Sequence, residues 1–177
     1  MGSCLKVVDR GLAVVVALLV VLLLAAAAPA RATEPTAVAA FGLVGPEGGE
    51  DRAAVLDLEY RFRPWRFGIG PLMGAAMTSD GASYVRVGLG RDFPFGRRWN
   101  VNVSSAAGAY QHGHAKRLGR GLEFRSAIDL SVEVRPGVRC GAALAHLSNA
   151  GIGRINPGVE TVTFTLSFVP GRMVVRR

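Results

Sequence analysis

Cysteine is almost missing: Cys4 and Cys140 are the only two in 177 residues. Cys4 lies in an N-terminal segment expected to be removed, so Cys140 is left alone and an intrachain disulfide is excluded. An exported domain of this kind must find its stability elsewhere. Histidine is equally scarce, with three in the chain. The pair His112-x-His114 offers two ligands, and no further histidine or cysteine is spare to complete a tetrahedral shell, which argues against a metal site. Glycine pairs such as that in "GLGRDF" neither follow a strand nor open a helix, so no nucleotide-binding loop is read and no cofactor is expected. Beyond residue 32 no segment has the period of a helix.

What is present begins with Lys6 and Arg10 ahead of an apolar run from Gly11 to Ala28, closed by Pro29 and the small-residue motif Ala30-Arg31-Ala32. This reads as a secretory signal peptide over 1–32, leaving 33–177 as a single domain. An uncleaved anchor is the competing reading, because about twenty apolar residues span a bilayer; Pro29 and the small-residue motif oppose it. Removing Lys6, Asp9, Arg10 and Arg31 leaves 18 basic and 12 acidic residues. That balance suits an anionic partner at a membrane surface, and no nucleic acid is expected as a partner after export.

The domain alternates with a period of two. In "LEFRSAIDLSVEVR", Leu122, Phe124, Ile128, Leu130, Val132 and Val134 are apolar, while Glu123, Arg125, Asp129, Ser131, Glu133 and Arg135 are polar. A strand sorted this way has one oily and one charged face. The same sorting recurs in "AVLDLEYRF", "WNVNVS" and "TVTFTLSF", and more weakly over 37–44, 67–77, 82–91 and 138–148. These predict about eight strands of the length that crosses a bilayer when tilted, an all-β, eight-stranded antiparallel transmembrane barrel. In such a barrel Asp57, Glu59, Arg61, Glu123, Arg125, Asp129 and Glu133 point inward and must pair with one another. A soluble lipocalin-like barrel, oily face inward and charges in water, alternates just as well and stays open at this point. If the first strand starts in the periplasm, the turns after strands two, four and six read "RPWR", "RDFPFGRR" and "RPG", which gathers Trp65, Phe93, Phe95 and Trp99 at one rim as an interfacial belt.

The hairpin "HLSNAGIGRINPGVE", residues 146–160, joins the last two strands. His146 and Ser148 share a face, and Glu160 has the parity of Val162, Phe164, Leu166 and Phe168, so all three are expected to point outward. Polar groups cost free energy there, and less so when they bond to one another. A hydroxyl, an imidazole and a carboxylate in reach across a strand pair are also what nucleophilic ester hydrolysis requires. Asn149 and Gly151 follow the serine, and their backbone N–H groups would stabilise an oxyanion. The bland reading is a strand end at Ser148-Asn149 and an ordinary "NPG" turn.

"LEFRSAIDL" followed by "HLSNAGIGRINPGVE" resembles the lipid A 3-O-deacylase family of PagL type, whose His-x-Ser-Asn-x-Gly and Asn-x-Gly-x-Glu elements recur here with the same spacing. The resemblance covers roughly 108–168, and the tail "VPGRMVVRR" departs from it. It implies an outer-membrane barrel of a Gram-negative bacterium that removes the 3-position hydroxyacyl chain of lipid A without a metal. Ser148 is then the nucleophile, His146 its base and Glu160 the orienter of the base, with Asn149 and Gly151 in the oxyanion-hole region. Many members carry a looser acyloxyacyl hydrolase label.

The basic loop "QHGHAKRLGRG" places Lys116, Arg117 and Arg120 where they would contact the phosphates of lipid A in lipopolysaccharide, and Arg154 has the same reading; solvated loop charge is the alternative for all four. Cys140 falls mid-strand in the lipid-facing register, where a thiol is normally inert. Two further functions stay open: a non-catalytic outer-membrane barrel of the adhesin or envelope-stability type, and a soluble periplasmic carrier. The oligomeric state is not legible.

Overall fold

The computed structural model describes residues 34–45, 52–119 and 121–170. The expected signal peptide, Arg120 and the tail from residue 171 lie outside the described residues.

Eight strands form a closed barrel in which each pairs antiparallel with its sequence neighbour: β1 Thr36–Val44, β2 Ala53–Arg61, β3 Ile69–Thr78, β4 Ser83–Phe95, β5 Trp99–Gln111, β6 Leu122–Arg135, β7 Val138–Ser148 and β8 Val159–Phe168. β1 and β8 close the ring, from Ala37 opposite Phe168 to Val44 opposite Thr161. Closure leaves no unpaired strand edge, which a barrel in lipid cannot tolerate.

The two faces are inverted relative to a soluble protein. Val85, Val87, Met77, Leu144, Phe41 and Leu58 stand exposed on the outside, while Asp57, Glu59, Arg86, Asp129 and Glu123 are buried within. A water-soluble carrier would show the opposite sorting, so the lipocalin-like alternative is overturned. The buried charges pair. Arg86 places Nη1 2.9 Å from Asp57 Oδ1 and Nη2 2.8 Å from Glu59 Oε2. Arg61 bridges Glu59 at 2.8 Å and Asp129 at 3.1 Å, and Arg125 approaches Asp57 at 3.4 Å. Thr165 donates to the other oxygen of Asp129 at 3.2 Å. Gly74 on β3 makes room for this network, because a β-carbon there would lie 2.7 Å from the guanidinium carbon of Arg86. Toward one end the lumen keeps a cavity of about 60 Å³ lined in part by Asp57, Tyr84, Arg86 and Arg125.

One rim carries the start of β1, the end of β8 and the connections 62–68, 96–98 and 136–137. Trp65, Phe95 and Trp99 are exposed there, with the last two stacked at 6.2 Å, and the Arg91 guanidinium lies 5.0 Å from the centroid of Phe93. The expected "RDFPFGRR" turn needs correction. β4 runs on to Phe95 and the turn is only 96–98, because Asp92 points inward and accepts hydrogen bonds from Asn100 at 2.9 Å and Asn102 at 3.0 Å on β5. The opposite rim carries the end of β1, the start of β2 and, among the described residues, 79–82, 112–119 and 149–158. The His114 N–H donates to Asp80 O in the neighbouring connection at 3.0 Å, and the Gly45 N–H to Glu160 O of β8 at 2.9 Å.

Candidate active site

β7 and β8 bring His146 directly opposite Glu160, with Ser126 of β6 on the other flank of His146 and Phe124 opposite Ser148. His146 follows Ala142 and Leu144 on the exposed face of β7, and Glu160 precedes Val162 and Phe164 on that of β8, so both groups stand on the outer wall. Nδ1 of His146 lies 2.6 Å from Oε1 of Glu160, with the side chains 50% and 52% exposed. An ionised carboxylate only accepts, so with a neutral imidazole this contact would call for the tautomer that carries its proton on Nδ1 and a lone pair on Nε2.

Ser148 ends β7 with the outward parity of His146, yet only 9% of it is exposed. The hydroxyl shares the face of the imidazole, but no hydrogen bond joins the two among the described residues. Bonds of this type are often long in a substrate-free site and tighten once substrate binds.

Asn149 differs from what its position in the sequence suggests. It is wholly buried, and its side chain is saturated by backbone. Nδ2 donates to Leu118 O and to Ile155 O, both at 2.7 Å, and Oδ1 accepts from Gly151 N–H at 3.0 Å and Gly153 N–H at 3.4 Å. The residue therefore ties the 112–121 loop to the 149–158 loop just behind Ser148. Its own N–H donates to Asn156 Oδ1 at 3.0 Å. Both N–H groups expected at an oxyanion, those of Asn149 and Gly151, are thus engaged inside the loop, and one of them must be released before it can serve. The chain turns away sharply here, with positive φ at Ala150 (53°) and Gly151 (80°). Asn156 was not singled out from sequence; its only signal was membership of the Asn-x-Gly-x-Glu element.

The basic residues do not form one cluster. Arg117 and Arg154 are exposed on the loop rim. Lys116 borders the lumenal cavity, and its carbonyl accepts from the Tyr110 hydroxyl at 2.9 Å.

Comparison with known proteins adds the following. The family model "Lipid A 3-O-deacylase (PagL)" matches residues 53–169. A lipid A deacylase PagL from Bordetella bronchiseptica is 38% identical over 53 residues, a stretch that spans 30% of this chain and 30% of that protein. A crystal structure of the outer membrane enzyme PagL is similar with a TM-score of 0.55 at 19% identity, covering 75% of this chain and 98% of that one. A de novo designed transmembrane β-barrel (TM-score 0.57, 8% identity, 80% and 98% covered) and Neisserial surface protein A (0.51, 11%, 79% and 99%) share the same fold. Those structural likenesses speak for the barrel; with more than half of its length matched by the family model, this chain belongs to the lipid A 3-O-deacylase (PagL) family.

Proposed function

We propose that this chain is an outer-membrane serine esterase that hydrolyses the ester-linked 3-hydroxyacyl chain of lipid A. The observation that carries the reading is the 2.6 Å His146–Glu160 contact on the outer wall, two residues along β7 from Ser148. Polar groups on a lipid-facing surface lose hydration, so a hydrogen-bonded imidazole and carboxylate there call for a role that a barrel which only binds does not give them. The fold alone decides nothing, since a designed barrel and a surface protein share it.

Ser148 Oγ attacks the ester carbonyl as its proton passes to Nε2 of His146, and Glu160 holds the ring and stabilises the imidazolium. The tetrahedral intermediate collapses when His146 returns that proton to the departing sugar oxygen, leaving an acyl-serine. Water, deprotonated by the same nitrogen, then releases the fatty acid and restores Ser148. The oxyanion is best served by the Gly151 or Asn149 N–H after it leaves its loop partner. Arg117 and Arg154 stand on the rim that would face the outer leaflet, where lipid A phosphates lie, and they match that charge.

Mass spectrometry of lipid A from cells expressing the wild-type chain or the Ser148→Ala variant tests this. Loss of one hydroxyacyl chain with the wild type alone supports the esterase. Unchanged lipid A in both, with the barrel folded in the outer membrane, leaves a non-catalytic barrel.

A further inference from the structure

Gly158 closes the 149–158 loop one residue before β8, with φ of 63°. A β-carbon built on it would lie 2.9 Å from Cε1 and 3.5 Å from Nε2 of His146, with Leu147 O at 3.7 Å. The first distance is shorter than real side chains show, and the atom it meets is the free end of a side chain. The ring, not the strand, would give way. His146 is therefore held on two edges: Glu160 binds Nδ1, and the bare α-carbon of Gly158 admits the Cε1–Nε2 edge.

We propose that Gly158 is a positioning residue of this esterase, because its lack of a side chain gives the His146 imidazole the place from which Nδ1 reaches Glu160 while Nε2 stays uncovered. The inference rests on the serine-esterase reading above. Any β-carbon at 158 would lever the ring away from Glu160 and crowd the nitrogen that takes the serine proton. Gly158 touches the base and not the lipid, so the loss should fall on kcat and leave KM in place. Glycine is also the natural choice for a left-handed backbone, so this second reason must be separated from the first. Asparagine tolerates the left-handed conformation far better than alanine yet carries the same β-carbon. Gly96 has a similar φ of 58° at the opposite rim, with nothing within 4 Å of its missing β-carbon.

The experiment measures kcat and KM on lipid A bearing its 3-O hydroxyacyl chains for wild type, Gly158→Asn, Gly158→Ala, Gly96→Ala, Glu160→Gln and the Gly158→Asn/Glu160→Gln pair. Folding is checked by the heat-dependent mobility shift of an intact barrel on gels. The expected result is a roughly 10- to 100-fold drop in kcat for Gly158→Asn with KM within about twofold. Gly96→Ala should stay within about twofold of wild type, and the double variant should lose less than the product of the single losses, because both act on one ring. Gly158→Asn within about twofold of wild type in kcat overturns the proposal, as does an equal loss in Gly96→Ala or a fully multiplicative double variant. An active Ser148→Ala would sink the esterase reading itself, which separates that failure from this one.

Discussion

Nδ1 of His146 and Oε1 of Glu160 meet at 2.6 Å across the β7–β8 pair, on the side of the barrel that carries Leu144, Val162 and Phe164. A residue pair opposed in an antiparallel ladder is brought together by the strand register, which sets the Nδ1 edge of the imidazole against the carboxylate and leaves its other edge to the loop that ends at Gly158.

Ser148→Ala and His146→Ala should each lower the rate of deacylation by about 10³-fold or more, because the attacking oxygen and its proton acceptor act as a unit. The barrel should still form, since neither side chain takes part in the lumenal network. Release of hydroxy fatty acid, measured beside the heat-dependent gel shift, checks both statements; full activity in either folded variant rejects the triad.

Glu160→Gln should cost less, about 10- to 100-fold, because the amide can still accept from Nδ1 but no longer neutralises the imidazolium. Activity of the wild type should fall on acidification, as a protonated His146 has no lone pair left for the serine proton. A rate that is level across the acid range excludes histidine as the base.

Asn149→Ala should loosen the loop rim without unfolding the barrel. It strips the partner from Leu118 O in a buried place, where an orphaned group costs about 1–3 kcal/mol, and frees the part-buried bonds to Ile155 O and Gly151 N–H as well. Limited proteolysis should cut within 112–121 and 149–158 much faster than in wild type while the strands stay protected. Unaltered cleavage would show that the loops are held by something else.

Arg86→Met should destabilise the barrel by about 3 kcal/mol, since it leaves Asp57 and Glu59 buried with less counter-charge. Arg61 and Arg125 remain beside them, which keeps the loss at the low end. The readout is the temperature or urea concentration at which the folded gel band disappears. A matching gain in stability would mean that the network is a burden to the fold.

The barrel was legible because its strands sort charge from oil with a period of two; which face points inward was not, and the buried charges and exposed apolar side chains decide it. The span of β6 could be read directly from the alternation in "LEFRSAIDLSVEVR". β5 was cut short at Ser104, since "SAAGAYQ" lacks polar contrast and only its partners on β4 and β6 extend it to Gln111. The outward placement of His146 and Glu160 followed from parity alone. The situation of Asn149 did not, because Leu118 lies 31 positions away and its carbonyl makes no mark on the local pattern. Gly158 was hidden for a similar reason: "NPG" reads as a turn, and only the fold sets that turn against an imidazole.

With His146 and Glu160 half exposed on the convex side of a cylinder, the proposed triad would have only one bank of its cleft built from protein. Whatever surrounds the barrel would make the other bank, so on that reading an amphiphile against β7 and β8 becomes a working part of the enzyme. Exchanging a bilayer for detergent therefore alters the site as surely as a substitution would, with no change to a single amino acid.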